Sequence, residues 1–153
     1  MVDSDADVVL IGGVAIILHG GSHLTEDVDF AFVRTRENTK RIADALRTLH
    51  PRPWNWPSDL PFVWDDQSLM NSTVLTLDTD WGRIDFLAEP AGIKDYKSLK
   101  ANACTVKVHG REITLASIDD LIAMKRAAGR AKDLGHVAEL ETLRGLIADE
   151  SQS

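Results

Sequence analysis

A single cysteine, Cys104, stands in 153 residues, so no disulfide can close within the chain and a cysteine-based zinc site is excluded. Cys104 is expected to be a buried bystander, as suits a reducing compartment. Long apolar runs are also missing. The best one, Val8 to Leu18, is short and interrupted by Gly12 and Gly13, too little to span a bilayer. The first seven residues lack the basic stretch that opens a signal peptide. A cytoplasmic protein with no membrane partner is therefore expected. Repeats and low-complexity tracts are absent too, and a chain of this length reads as one domain over residues 1–153, with flexible ends at 1–6 and 149–153.

Charge of one sign is missing locally. Residues 1–33 contain no Lys or Arg but hold Asp3, Asp5, Asp7, Glu26, Asp27 and Asp29. The net charge of −7 argues against a surface coated with basic residues for nucleic acid. Cations gather later, in residues 94–132, where Lys and Arg outnumber Asp and Glu. An early carboxylate site and a later cationic segment can together hold metal and polyphosphate, while a solvated lysine face is the bland alternative for any one base.

The residues that remain carry a pattern. Val8 to Ile11 reads as a buried strand, Gly12 and Gly13 as a turn whose backbone can approach a ligand, and Val14 to His19 as a short apolar helix ended by Gly20 and Gly21. A loop through His23 and Thr25 enters the strand Asp27 to Val33, where alternation places Asp27 and Asp29 on one side. Thr25 suits a phosphate contact or a turn; His19 reads as structural, and His23 stands nearer to ligand.

Beyond Thr35 the apolar spacing of Ile42, Ala45, Leu46 and Leu49 predicts a helix stopped by Pro51 and Pro53. Residues 51–70 form an irregular, tryptophan-rich connection with room for a short helix, and Trp54, Trp56 and Trp64 are expected to cover the core, with stacking on a base as the alternative. Thr73 to Asp78 and Arg83 to Ala88 make strands around the turn Asp80-Trp81-Gly82. Asp85 is the only charge in the apolar run Ile84 to Leu87 and needs a partner or a metal.

A second hairpin, Ala103 to Val108 with Arg111 to Leu115, precedes a helix opened by Ser117 with Asp120 three residues on. Its inward stripe is Ile118, Leu121, Ile122, Lys125 and Ala128, so Lys125 either snorkels to solvent or projects into a pocket. Gly129 breaks that helix, and Ala131 to Ile147 forms the last one, with Val137, Leu140, Leu143 and Ile147 inward.

Three carboxylates on neighbouring strands suit Mg2+, with Mn2+ as a substitute, because these ions take oxygen ligands and assist phosphoryl or nucleotidyl transfer. The glycine turn would hold a triphosphate, and Lys125 could balance its charge.

The order Gly12-Gly13, His19-Gly20, Thr25-Glu26-Asp27-Val28-Asp29, then Gly82-Arg83-Ile84-Asp85 and Lys125 with Gly129, Arg130, Lys132 and Asp133 resembles the nucleotidyltransferase (DNA polymerase β-like) superfamily. Within it the chain is similar to the minimal branch that includes AbiEii-type toxins. Departures are Gly13 where Ser is frequent, His23 where Arg is frequent, and His136 where an acid follows the Lys-Asp pair in several relatives. The resemblance implies an α/β (α+β) nucleotidyltransferase fold with a mixed sheet of about five strands flanked by helices. It implies that Asp27, Asp29 and Asp85 bind metal and catalyse, with Asp85 as general base. Nucleotide contacts fall to Gly12, Gly13, Thr25, Lys125, Arg130 and Asp133. An NTP would give its NMP to a hydroxyl on tRNA or a protein, and the toxin analogy implies an antitoxin partner. A small-molecule, antibiotic-type enzyme and a nucleotide-binding or interaction module without turnover are the alternatives.

Overall fold

In a computed structural model, which describes Met1, residues 4–22 and residues 24–152, every expected long element forms. His23 lies outside the described residues. Strand β1 (Val8–Ile11) leads into helix α1 (Gly12–Leu18), β2 (Asp27–Phe32) and helix α2 (Arg36–Leu46), which tightens into a 3-10 turn at Arg47–Leu49. The two-residue β3 (Arg52–Pro53) and α3 (Gln67–Met70) precede the hairpin β4 (Val74–Thr79) and β5 (Gly82–Leu87). Then come α4 (Tyr96–Asn102), the hairpin β6 (Cys104–Val108) and β7 (Arg111–Leu115), and helices α5 (Ile118–Ala128) and α6 (Ala131–Gln152).

The strands make one mixed sheet in the order β3-β4-β5-β2-β1-β7-β6. The pairs β2/β5 and β1/β7 are parallel, and the remaining neighbours are antiparallel. Among the described residues seven strands, not about five, are present. One of them, β3, sits in the proline-rich connection, where Arg52 pairs with Asp78 at the sheet edge; an edge strand tolerates Pro53 because no inner neighbour asks for its missing N–H.

Two apolar clusters hold the layers. One packs α1, α4, α5 and α6 on β1 and β7 through Val9, Ile16, Leu99, Leu115, Leu121 and Leu140. The other packs α2 and α3 on β2, β4 and β5 through Phe32, Ile42, Leu46, Leu69, Leu77 and Phe86. Each fully buried Leu, Ile or Phe stabilises the fold by about 1.5–3 kcal/mol relative to leaving it exposed. Phe86 sits centrally, stacked on Phe30 at 5.6 Å and edge-on to Phe32 at 5.9 Å between ring centroids.

Several local expectations are corrected. Helix α1 starts at Gly12 itself, so the glycine pair is the first helical turn and not a loop before it. Helix α4 has no strong sequence stripe because one residue, Leu99, anchors it, while Asp95 caps it by accepting from Ser98 N at 2.7 Å. Of the three tryptophans expected to cover the core, Trp64 does so and donates Nε1–H to Ala43 O at 2.8 Å. Trp54 and Trp56 remain 48% and 38% exposed. The inward stripes fade at their ends, leaving Ala128 and Ile147 exposed, and α6 continues through residues 149–152. Cys104 is half-buried, with Sγ 3.7 Å from Leu115 O. Among the described residues no helix is long and apolar enough to cross a membrane.

Candidate active site

Parallel pairing of β2 with β5 sets Asp29 opposite Asp85 and Asp27 opposite Arg83. Since side chains alternate along a strand, these four project from one face of the sheet. On the other side of β2, antiparallel β1 places Ile11 opposite Asp29, so the next residue, Gly12, meets the Asp29 carboxylate. A Cβ built on Gly12 would stand 2.1 Å from Asp29 Oδ2, and Gly12 has φ +70°. Only glycine meets both conditions. The bare Cα of Gly12 thus leaves room for the Asp29 carboxylate.

The carboxylates crowd one another. Burial, then the hydrogen bond and negative charge of Asp85, then the charge of Asp27 push Asp29 up to about 7, with Lys125 opposing. Asp85 Oδ1 is buried without a hydrogen-bond partner among the described residues. A buried carboxylate oxygen left so is costly unless something compensates it. Asp27 Oδ2 lies 3.6 Å from Arg83 Nη1. Arg83 in turn lies over the Trp54 ring at 4.4 Å. Among the described residues no three His, Cys, Asp or Glu side chains already stand together as a metal cage. The donor set nonetheless suits a hard divalent cation. It offers only carboxylate oxygens, one of them orphaned, and a positive charge would relieve the repulsion that raises Asp29.

Helices α5 and α6 supply the cations. Ser117 caps α5 by accepting from Asp120 N at 3.1 Å, which is half of the expected capping box. Asp120 Oδ2 completes no return bond, being buried without a partner among the described residues. Gly129, at φ +68°, ends α5 in a left-handed turn that starts α6 and brings Asp133 back beneath Lys125. Asp133 is fully buried. It accepts from Arg130 Nε at 2.6 Å, Arg130 Nη2 at 3.2 Å and Arg130 N at 3.2 Å, and lies 3.4 Å from Lys125 Nζ. These bonds, chiefly those of the Arg130 side chain, hold the Asp133 carboxyl down to about 2. Asp133 thus anchors Lys125 and Arg130, and every one of its oxygens is already engaged. Lys125 is only 16% exposed, so it does not snorkel to solvent; it projects into the site.

The resulting cleft has two arms. Asp29, Asp85, Lys125 and Arg130 line both. The polar arm, of about 390 Å³, adds Gly13, Thr25, Asp27, Lys132 and His136. Thr25 is exposed there and donates its hydroxyl to Asp27 O at 3.2 Å. The other arm, of about 300 Å³, is walled by Val74, Leu87, Pro90, Leu121, Met124 and Ala128. Gly12 belongs to this second arm, so the two glycines expected to act together face different spaces.

All of Asp27, Asp29, Asp85, Gly12, Gly13, Thr25, Lys125, Arg130 and Asp133 therefore border one cleft or hold its walls. Sequence reasoning missed Arg83, although it stands two residues before Asp85 and so had to share its face. It also missed the apolar arm, whose walls come from β4, β5 and α5 and have no common signal in the chain.

No protein-family model matches this sequence, and no curated protein matches it either. Solved structures do. The chain is similar to the lincosamide antibiotic adenylyltransferase LnuA, solved with lincomycin bound, at TM-score 0.57 and 14% identity, covering 89% of this chain and 86% of that one. It is similar to ANT(2'')-Ia, solved in complex with adenylyl-2''-tobramycin, at TM-score 0.54 and 13% identity, covering 95% and 88%. A nucleotidyltransferase-like antigenic protein from Paracoccidioides brasiliensis aligns at TM-score 0.50 and 18% identity, over 92% of this chain and 68% of that one. The shared feature is the architecture, and the chain has the nucleotidyltransferase fold.

Proposed function

We propose that the protein is a metal-dependent nucleotidyltransferase that moves an NMP from an NTP to a hydroxyl acceptor. The observation that carries this reading is the pairing of Asp29 with Asp85, whose buried Oδ1 lacks a partner among the described residues, at the junction of a polar and an apolar arm. Asp27, Asp29 and Asp85 would hold Mg2+ or Mn2+, which when bound neutralises the charge of the triphosphate and of the departing pyrophosphate. The polar arm suits the phosphates, with Arg130 and Lys132 as cations and Gly13 and Thr25 at its wall. Lys125, fixed by Asp133, faces the same charge. Asp85 takes the proton of the attacking hydroxyl. The acceptor oxygen bonds to the α-phosphorus, the bond from that phosphorus to the bridging oxygen breaks, and pyrophosphate leaves with the electron pair.

The chain's similarity to LnuA and ANT(2'')-Ia, and a cleft whose second arm is small and apolar, favour a small-molecule acceptor over a tRNA end or a protein. A toxin role with an antitoxin partner rests on motif resemblance alone. Incubation with each α-labelled NTP, Mg2+ and an acceptor panel, beside Asp29→Asn, tests the reading. Label transfer that the substitution abolishes is expected, and transfer surviving it would sink the assignment.

A further inference from the structure

The apolar arm begins at the carboxylates and leads away from the polar arm. Asp85 stands at the junction, lining both. On the reading proposed above, the phosphates occupy the polar arm, so the group that Asp85 deprotonates has to approach from the other one. Its walls are Val74 and Leu87 of the β4–β5 hairpin, Pro90 of the following loop, and Leu121, Met124 and Ala128 of α5. Thr76 is the only uncharged polar side chain among its lining residues.

Charge further restricts the occupant. A polycationic acceptor needs carboxylates that are free to pair with it. Among the lining residues the acids are Asp29, Asp85 and Asp133. Asp29 and Asp85 are committed to the reaction, and Asp133 is saturated by Arg130 and Lys125. Lys125 and Arg130 at the junction would repel an ammonium group. A polyanion fares no better in an apolar arm, where its charges would lose water without compensation. What gains on entry is apolar surface, which is stabilised as it leaves water.

Gly92 fixes the width. With φ +86°, a Cβ there would stand 2.5 Å from Ala123 O, so the loop beside Pro90 presses directly on the α5 backbone and the arm cannot be narrowed by a closer approach. We propose that this arm is the acceptor subsite and that it takes a compact, uncharged molecule with an apolar ring to lie against these walls and a hydroxyl-bearing part to meet Asp85. This rests on the nucleotidyltransferase reading, and transfer follows the bond changes given there.

Methionine supplies the probe. Of Met1, Met70 and Met124, only Met124 lines the arm, so the methyl-13C signal of Met124 reports occupancy and that of Met70 serves as internal control. With Mg2+ and a non-hydrolysable ATP analogue at saturation, phenyl β-D-glucoside, tobramycin and total tRNA are titrated separately. Phenyl β-D-glucoside is expected to shift Met124 saturably and leave Met70 in place, with no response to the other two. Val74→Asp, at a rim position that is 58% exposed, should weaken the glucoside response about tenfold. A shift of equal size with the nucleotide analogue alone would put the nucleobase in the arm and overturn the proposal. So would a response to tobramycin or tRNA, or none to the glucoside. Label transfer from α-labelled ATP separates the two readings: turnover confined to tobramycin or tRNA would overturn the arm assignment alone, whereas a saturable Met124 shift with no transfer to any acceptor would overturn the transferase reading alone.

Discussion

At the scale of single residues the site depends on what two positions omit or conceal. Gly12 omits a side chain so that Asp29 can stand beside Asp85. Gly12→Ala forces either Asp29 out of place or the backbone out of its positive φ, and should cost about 1–3 kcal/mol in urea unfolding and, on the proposed function, abolish label transfer. Wild-type activity in a folded Gly12→Ala protein would show that Asp29 does not need this space. Asp133 conceals a full negative charge beneath two cations. Asp133→Asn leaves the mostly buried Lys125 uncompensated and should cost about 3 kcal/mol in the same measurement, whereas an exposed pair such as Arg41–Glu37 would cost under about 1 kcal/mol.

At the scale of elements, the hairpin β4–β5 and helix α5 form the two walls, and their separation is set by loop residues rather than by their own sequences. Gly92→Ala places a Cβ 2.5 Å from Ala123 O on a backbone carbonyl that cannot swing aside, at φ +86°. The expected outcome is a displaced α5, a loss of about 2 kcal/mol or more and, on the proposed function, weaker NTP binding by calorimetry because Lys125 moves with the helix. Unchanged NTP affinity would mean that Lys125 does not take part. The elements themselves were largely legible in the chain. Alternation over Asp27 to Phe30 marked β2, Ser117 marked the start of α5, and Gly129 its end. Helix α4 was not legible because a seven-residue helix with one buried leucine offers no period to detect. The two-residue β3 exists only through its pairing with β4.

At the scale of the whole molecule, protonation couples the site to stability. Asp29 is raised in the fold from the ordinary 3.8 to about 7, so the fold favours its neutral form. Its contribution is full below the unfolded value and is lost as pH rises between 3.8 and about 7. Without cation, the wild type should therefore lose stability relative to Asp29→Asn over that window, by an amount on the order of a few kcal/mol, in parallel urea titrations. Mg2+ with NTP should bind more tightly as pH rises towards and past 7 and raise the wild-type melting temperature there. Parallel stability curves for the two proteins across this range would remove the coupling between Asp29 and Asp85 from the account.

The sequence by itself determined the long strands, the start and end of α5 and the presence of Asp27, Asp29 and Asp85 on strands, because these depend on periods of two and 3.6 residues and on local capping. It also marked Lys125 as a charge on an apolar stripe. Only the tertiary structure decided what those charges face. The register of β2 against β5 chose Asp29 and Arg83 as the neighbours of Asp85 and Asp27, and the turn at Gly129 placed Asp133 under Lys125. The close approach of β1 made Gly12 a matter of space for a carboxylate, and the packing of β4, β5 and α5 left an apolar arm beside it. Such relations join residues far apart in the chain, and packing, which has no period along the sequence, fixes them.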